Sequence, residues 1–185
     1  MRDDARALCA PTEGGFMNVS SLNDVFVDQL ADLYSAEQQL VEALPKMAGA
    51  ASTAELREAF EHHLDQTRNH VQRINDVFAN VGIPPAMEHC KGMEGLIKEG
   101  EEVISATGDP AAKDAALIAA AQRVEHYEIA AYGTVRTLAG ELGFDDAKDI
   151  LDETLDEESD ADKLLTKIAT GGVFATGVNE QATRR

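Results

Sequence analysis

Apolar residues recur every three or four positions along four long stretches of the chain, which is typical of amphipathic helices that bury one face. Caps such as Ser21 and Asp109-Pro110 open these stretches, and glycines close them. Ser52 with Glu55 also has the spacing of a capping box at the start of the second stretch. The pattern predicts four helices, over about residues 21–48, 53–81, 110–141 and 146–169.

The connections between these helices differ in length. Short turns join the first helix to the second and the third to the fourth, whereas residues 83–108 separate the two pairs and include a short helical pattern, Met93–Ile104. A connection of this length can carry the chain to the far end of a bundle. We therefore predict an all-α domain of two helical hairpins joined by a long crossover that contains a short helix.

We expect this domain to span residues 21–170. Residues 1–20 and 171–185 show no helical periodicity and are predicted to be disordered tails. Met17 stands just before the first ordered pattern, so Met1 and Met17 both stay open as translation starts.

Each inward-facing stripe is interrupted near its middle by polar residues. At 1.5 Å rise per residue, these positions fall within about one turn of the same level in the bundle. Buried carboxylates without partners cost several kcal/mol each, so the layer needs cations, protons or donors from other helices. Two divalent cations would neutralise most of the charge, and carboxylate with imidazole ligands suits iron or manganese. The candidate ligands are Glu37, His63, His70, Glu125, Glu128, Glu158 and Asp162.

Other polar and aromatic residues are predicted to have structural roles. The acidic run from Asp152 to Asp162 is mostly a solvated face, and Cys90 is a small buried residue rather than a nucleophile. Thr67 and Tyr34 are expected to support the ligands or the core, Tyr127 and Tyr132 to pack in it, and three histidines to lie at the surface: His62, His89 and His126.

The composition narrows the possible partners. The net charge of −18 argues against binding to nucleic acid or to an anionic membrane surface, and favours cations. Two cysteines without a metal or disulfide motif fit a reducing cytoplasm. No apolar run approaches the roughly 18 residues of a membrane span.

Six stretches of the chain resemble the YciE/YciF-like branch of ferritin-like proteins, which is linked to bacterial stress responses and has no settled biochemical activity. The resemblance covers about residues 19–170 and implies a ferritin-like four-helix bundle with a dinuclear metal centre. The stretches are Leu33–Leu40, His63–Thr67, Met93–Ile97, Asp114–Gln122, Val124–Tyr132 and Glu153–Glu158.

A ferritin-like crossover makes the second and third helices parallel, which predicts the layout of the ligands. One layer would hold His63, Glu125 and Asp162, and the other would hold His70, Glu128 and Glu158, with Glu37 bridging the two cations. Some family members carry Glu where this chain has Gln66, and Gln where it has His70. Either residue could therefore supply the ligand of the second helix, and imidazole chemistry favours His70.

Two functions stay open at this point. The first is a dinuclear iron or manganese protein that handles iron or reduces dioxygen or peroxide; the second is a metal-free helical stress scaffold that dimerises or binds a client protein. An iron-storage cage of about 24 subunits, as in ferritins, is a third and weaker reading. We also expect a homodimer, from the resemblance and from four apolar crossover residues, which are more than one short helix can cover: Met87, Met93, Leu96 and Ile97.

Overall fold

The computed structural model describes residues 19–172 and 175–184, most of which are helical. The four long predicted helices correspond to α1, α2, α4 and α5, and each end lies within two residues of its predicted position. Most of the predicted tail over residues 1–20 lies outside the described residues. The elements are α1 (Leu22–Ala50), α2 (Ala54–Asn80), α3 (Lys91–Ser105), α4 (Pro110–Leu142), α5 (Asp145–Thr170), β1 (Gly171–Gly172), β2 (Ala175–Thr176) and α6 (Val178–Thr183).

The long helices form two hairpins, α1 with α2 and α4 with α5. The second hairpin turns at Gly143, whose φ of 75° lies in the left-handed region that favours glycine. The crossover between the hairpins contains α3, which packs against α1 and α4. The prediction of an all-helical bundle with a helix in its crossover is therefore confirmed.

The N-terminus of α2 is capped from another helix. The buried carboxylate of Asp114 in α4 accepts hydrogen bonds from the backbone N–H groups of Ser52 and Thr53, at 2.8 and 2.9 Å, and from the Ser52 hydroxyl at 2.8 Å. The capping box predicted for Ser52 and Glu55 is wrong, because the Ser52 hydroxyl is engaged by Asp114 and Thr53 occupies the cap position.

The apolar core is divided into two clusters. On each of the four long helices, buried polar residues lie near the point where the helix passes from one cluster to the other; Asp114, near the start of α4, lies outside this layer. In α2, for example, Leu56 and Phe60 belong to the first cluster, Ile74 and Val77 to the second, and His63 to the stretch between them. The polar level predicted from the stripes is therefore a continuous layer across the bundle.

The C-terminal segment contains short ordered elements where the sequence pattern predicts a disordered tail. Strands β1 and β2 pair as a two-residue antiparallel ladder, and α6 packs against α4 and α5 with Val178 buried. Gly177 allows this return, since a Cβ atom at that position would come within 2.3 Å of the backbone nitrogen of Gly171. Among the described residues of this segment, Val178 is the one buried apolar side chain, and a single anchor leaves no periodic signal, which explains the wrong prediction.

The crossover buries most of its own apolar side chains. Met93 is fully buried, Leu96 and Ile97 are partly buried, and only Met87 of the four residues singled out above is exposed. The crossover therefore offers little of the apolar surface on which the expectation of a homodimer partly rested. Within the described chain, no helix has both the length and the apolar character needed to cross a bilayer.

Candidate metal centre

Six of the seven predicted ligands lie together in the polar layer between the two apolar clusters. His63 and His70 project from the inner face of α2, two turns apart, and the carboxylates come from the three other long helices. All six residues are at least 95% buried: Glu37, His63, His70, Glu125, Glu128 and Glu158.

The first group of ligand atoms surrounds His63. Its Nε2 atom lies 3.4 Å from Glu125 Oε2 and 3.6 Å from Glu158 Oε2. Glu128 completes the group, in which one ligand atom from each of the four residues lies within 4.8 Å of the others. Three carboxylates and one imidazole at this spacing can surround a single divalent cation.

The second group surrounds His70. Its Nδ1 atom lies 2.9 Å from Glu158 Oε1 and 3.4 Å from Glu37 Oε1. Glu158 belongs to both groups, because one of its oxygens faces each histidine. This carboxylate is therefore placed to bridge two cations.

The course of the helices matches the expectation that α2 and α4 are parallel. His63 lies beside Glu125, and seven residues further along α2 the ring of His70 lies 6.3 Å from that of Tyr132, measured between centroids. Forward steps along both helices thus lead in the same direction through the bundle.

The predicted assignment of ligands to layers differs from the observed one. Glu158 rather than Glu37 stands between the two histidines, and Glu128 groups with His63 rather than with His70. Glu37 instead faces His70 and accepts a hydrogen bond from the Tyr132 hydroxyl.

Asp162 is not brought into the cluster. Its Oδ1 atom accepts a hydrogen bond from Gln122 Nε2 at 2.9 Å and lies 3.3 Å from His126 Nε2, near the surface. Four residues advance a helix by slightly more than one turn, about 40° past Glu158. That rotation turns Asp162 away from the bundle axis.

Each histidine has a partner at its other ring nitrogen. Gln66 Oε1 lies 3.5 Å from His63 Nδ1, and Glu157 Oε2 lies 2.7 Å from His70 Nε2. Such partners fix the tautomer and direct the remaining nitrogen, here His63 Nε2 and His70 Nδ1, toward the carboxylates. Of the two alternatives on α2, His70 therefore offers a ligand atom to the cluster, whereas Gln66 contacts His63.

Sequence reasoning missed Glu157 and Arg73. Glu157 accepts hydrogen bonds from Arg73 at 2.8 and 3.0 Å while it contacts His70, so the three side chains form a chain from the surface to the cluster. Glu157 was missed because it lies in the acidic run from Asp152 to Asp162, which is predicted to be mostly a solvated face, and it is only partly buried. The available signal was the spacing of Arg73, which follows His70 by three residues on one helix face.

The cluster leaves many buried atoms without hydrogen-bond partners among the described residues. Protein interiors pair nearly all such groups, so a concentration of unpaired atoms calls for an explanation. Carboxylate oxygens and imidazole nitrogens that converge in this way form a donor set that fits a metal ion, and without one His70 Nδ1 and Glu158 Oε1, 2.9 Å apart, can share a proton. The atoms are Glu37 Oε2, His63 Nε2, His70 Nδ1, Glu125 Oε2, both carboxylate oxygens of Glu128 and both of Glu158.

Without a cation, the cluster retains protons. Burial raises the pKa of Glu125 to about 8, and burial together with the charge of Glu158 raises the pKa of Glu128 well above its usual range. Burial opposes a charge on His70, but contacts with Glu158 and Glu37 outweigh it and raise the pKa of His70 to about 11. Loading with a metal ion would therefore displace protons from these groups.

Taken together, the fold and this layer define an all-helical bundle protein with a buried carboxylate–histidine cluster. The chain belongs to the family described as a domain of unknown function, DUF892, whose sequence model matches residues 21–182.

Named relatives extend over nearly the whole chain. Protein YciF of Escherichia coli strain K12 is 48% identical over 165 residues, which is 89% of this chain and 99% of YciF. The crystal structure of YciF, described as a stress protein, superposes with a TM-score of 0.78 over 80% of this chain and 94% of the other. YcfI of Rhodopseudomonas palustris, described as a candidate structural protein, is 39% identical with a TM-score of 0.80 over 82% and 97% of the two chains.

Proposed function

We propose that this protein is a ferritin-like metalloprotein that binds two iron or manganese ions in its buried cluster and acts in a bacterial stress response. The proposal is carried by the eight ligand atoms that converge in the core and have no hydrogen-bond partner outside the cluster among the described residues. Leaving so many buried polar atoms unpaired would cost several kcal/mol, and a pair of cations would remove that cost.

The charges of the cluster balance two divalent cations. Glu37, Glu125, Glu128 and Glu158 bring a charge of −4 when ionised, which two divalent cations match, while the histidines bind as neutral ligands. Balanced charge favours occupancy in a site with little water, because unbalanced charge is costly at low dielectric. One position would be held by His63, Glu125 and Glu128, the other by His70 and Glu37, and both by Glu158.

The chemistry follows from the donor set. Iron or manganese bound by carboxylates and imidazoles supplies one-electron chemistry toward dioxygen or peroxide. The two apolar clusters cover the layer on either side along the bundle, while the chain from Arg73 through Glu157 to His70 holds one imidazole in place. We infer iron handling or the reduction of dioxygen or peroxide, and the stress role described for YciF supports this inference.

The proposal is tested by the metal content of protein purified without chelators. We expect about two iron or manganese ions per chain by elemental analysis, together with an optical or electron paramagnetic resonance signal of the bound metal. Protein that contains no transition metal, and takes up none when iron(II) or manganese(II) is added anaerobically, would rule out the proposed centre.

A metal-free scaffold is the second candidate. It is favoured by the contacts of His70, which lies between Glu158, Glu37 and Glu157 and can hold a positive charge without any metal. YcfI, a relative described as a candidate structural protein, has the same fold. The scaffold predicts that the purified protein has no metal and that its stability is unchanged when iron(II) is added.

A further inference from the structure

A cavity of about 110 Å³ opens between α2 and α5 and reaches the candidate metal centre. His63 and Glu125 line its inner end, and the exposed side chains of His62 and Asp160 line it nearer the surface. Ala59 of α2 and Ala161 of α5 also line the cavity with small side chains. A space of this size holds several water molecules, since one water needs about 10–15 Å³ measured in this way.

The inner end of the cavity presents ligand atoms. His63 Nε2 and Glu125 Oε2 have no hydrogen-bond partner among the described residues, and both residues are at least 95% buried. They belong to the same ligand group, at 3.4 Å from each other. A cation that enters this cavity therefore meets two unpaired ligand atoms before any other part of the cluster.

The other cavity that reaches Glu125 has a different character. It has a volume of about 40 Å³ and lies among α1, α3 and α4, with walls made mainly of aliphatic side chains such as Leu40, Leu44 and Ile97. Phe60 and Glu125 line both cavities. The cavity between α2 and α5 also has apolar walls, from Phe60, Leu164 and Leu165, but it combines them with His62, Gln66 and Asp160, whose polar atoms can replace part of a cation's hydration.

We propose that the cavity between α2 and α5 is the entry path by which a hydrated divalent cation reaches His63 and Glu125. The inference rests on the proposed metal function. It adds the route by which the cation enters and the expectation that narrowing this route slows entry. His62, Asp160 and the partly buried Gln66 supply nitrogen and oxygen atoms along the path. The net charge of −18 draws cations toward the surface in which the path opens.

The path is tested by narrowing it without touching the ligands. Apo-protein carrying Ala161→Leu is mixed with cobalt(II) in a stopped-flow instrument, and uptake is followed by the visible absorption of bound cobalt. We expect uptake to slow by about tenfold or more, with an unchanged number of cobalt ions bound at equilibrium. The matched control is Ala43→Leu, which adds the same side chain to the apolar cavity and should leave the rate within about twofold of the wild type.

Ala59→Leu narrows the same path from α2, and it replaces Ala161→Leu if circular dichroism shows that the latter does not fold. A wild-type rate in a folded path variant, or an equal slowing in Ala43→Leu, overturns the entry path. Wild-type apo-protein that takes up no cobalt(II), iron(II) or manganese(II) at all overturns the metal function itself, so the two failures are distinguishable.

Discussion

The position of His70 in the cluster depends on its place along α2 and on the side chains that contact its two ring nitrogens. Its Nδ1 atom faces Glu158 and Glu37, while its Nε2 atom lies 2.7 Å from Glu157, which Arg73 holds in turn. The inward position of His70 could be predicted from the helical stripe. Its partner Glu157 could not, because the two residues are 87 positions apart and the rotation of α5 decides whether Glu157 or its neighbours face inward.

The contact between Glu157 and His70 predicts a loss of metal affinity when it is weakened. We expect Glu157→Gln to reduce affinity by about 10–100-fold without changing the number of ions bound, because the imidazole loses its orienting carboxylate. Competition with a chelator of known affinity measures the change. The control is Glu153→Gln, which removes the exposed partner of Arg73 and should have little effect; an equal loss in both variants would show that Arg73, not His70, is responsible.

The raised pKa values predict how the stability of the apo-protein depends on pH. Glu125 and His70 have folded-state pKa values of about 8 and about 11, against ordinary values of 4.5 and 6.5, so the folded state retains protons that the unfolded state releases. Their contribution is complete below the ordinary values and is lost as the pH rises toward the raised ones. Several other titratable groups lie around Glu125 and His70. They are Glu37, His63, Glu128, Tyr132, Glu157, Glu158 and, at the edge of the layer, Asp162.

We therefore expect urea denaturation of the apo-protein to give a larger free energy of unfolding at about pH 5.5 than at about pH 8. The lowered pKa of Glu157 acts in the opposite direction, but only near and below its ordinary value of 4.5. The metal-bound protein should lose less stability over this range, because deprotonated ligands bind cations more tightly. An apo-protein that gains stability between these pH values would contradict the assignment of the raised pKa values.

Among the elements, the helices were predictable and the contacts between them were not. The ends of α1, α2, α4 and α5 follow from caps, prolines and glycines, all of which act locally. The cap of α2 comes from Asp114, some sixty residues away, and nothing in the local pattern indicates it. The elements around β1, β2 and α6 were missed because Val178 is the one buried apolar side chain that the structure describes in this segment.

The cap on α2 predicts a specific loss of stability. Asp114→Ala removes three hydrogen bonds to a buried carboxylate and leaves the N–H groups of Ser52 and Thr53, which lead into α2, without this acceptor, so we expect a cost of about 2 kcal/mol. Chemical denaturation measures it. Glu55→Gln, which alters the partner that the local sequence indicated, should cost less than about 0.5 kcal/mol. A larger loss of unfolding free energy for Glu55→Gln than for Asp114→Ala would instead support the capping box of Ser52 and Glu55.

In the whole molecule, the polar layer interrupts a core that is otherwise apolar. The stripes were sufficient to predict that buried glutamates and histidines from four helices would meet at one level, and six of the seven residues do so. They were not sufficient to predict which residue is shared between the two groups. A rotation of about 40° about the helix axis decides which side chain faces the cluster. This is the angle by which Asp162 is turned away relative to Glu158.

The same layer predicts that the apo fold tolerates loss of its carboxylates. Glu128 has no hydrogen-bond partner for either oxygen among the described residues, so Glu128→Leu removes an uncompensated buried group and adds apolar contacts. We expect the apo-protein to become more stable by about 1–3 kcal/mol in thermal or urea denaturation. A variant with lower stability than the wild-type apo-protein would indicate that Glu128 is satisfied by protein groups.

The most direct test of the dinuclear centre is the number of metal ions per chain in variants that keep the apo fold. Elemental analysis is applied to wild-type protein, to Glu128→Ala with Glu158→Ala, and to Asp162→Ala, each loaded with iron(II) or manganese(II) without oxygen and then desalted. We expect about two ions per chain in the wild type and in Asp162→Ala, and none in the double variant, which loses the shared Glu158. Two ions per chain in the folded double variant would contradict the assigned centre.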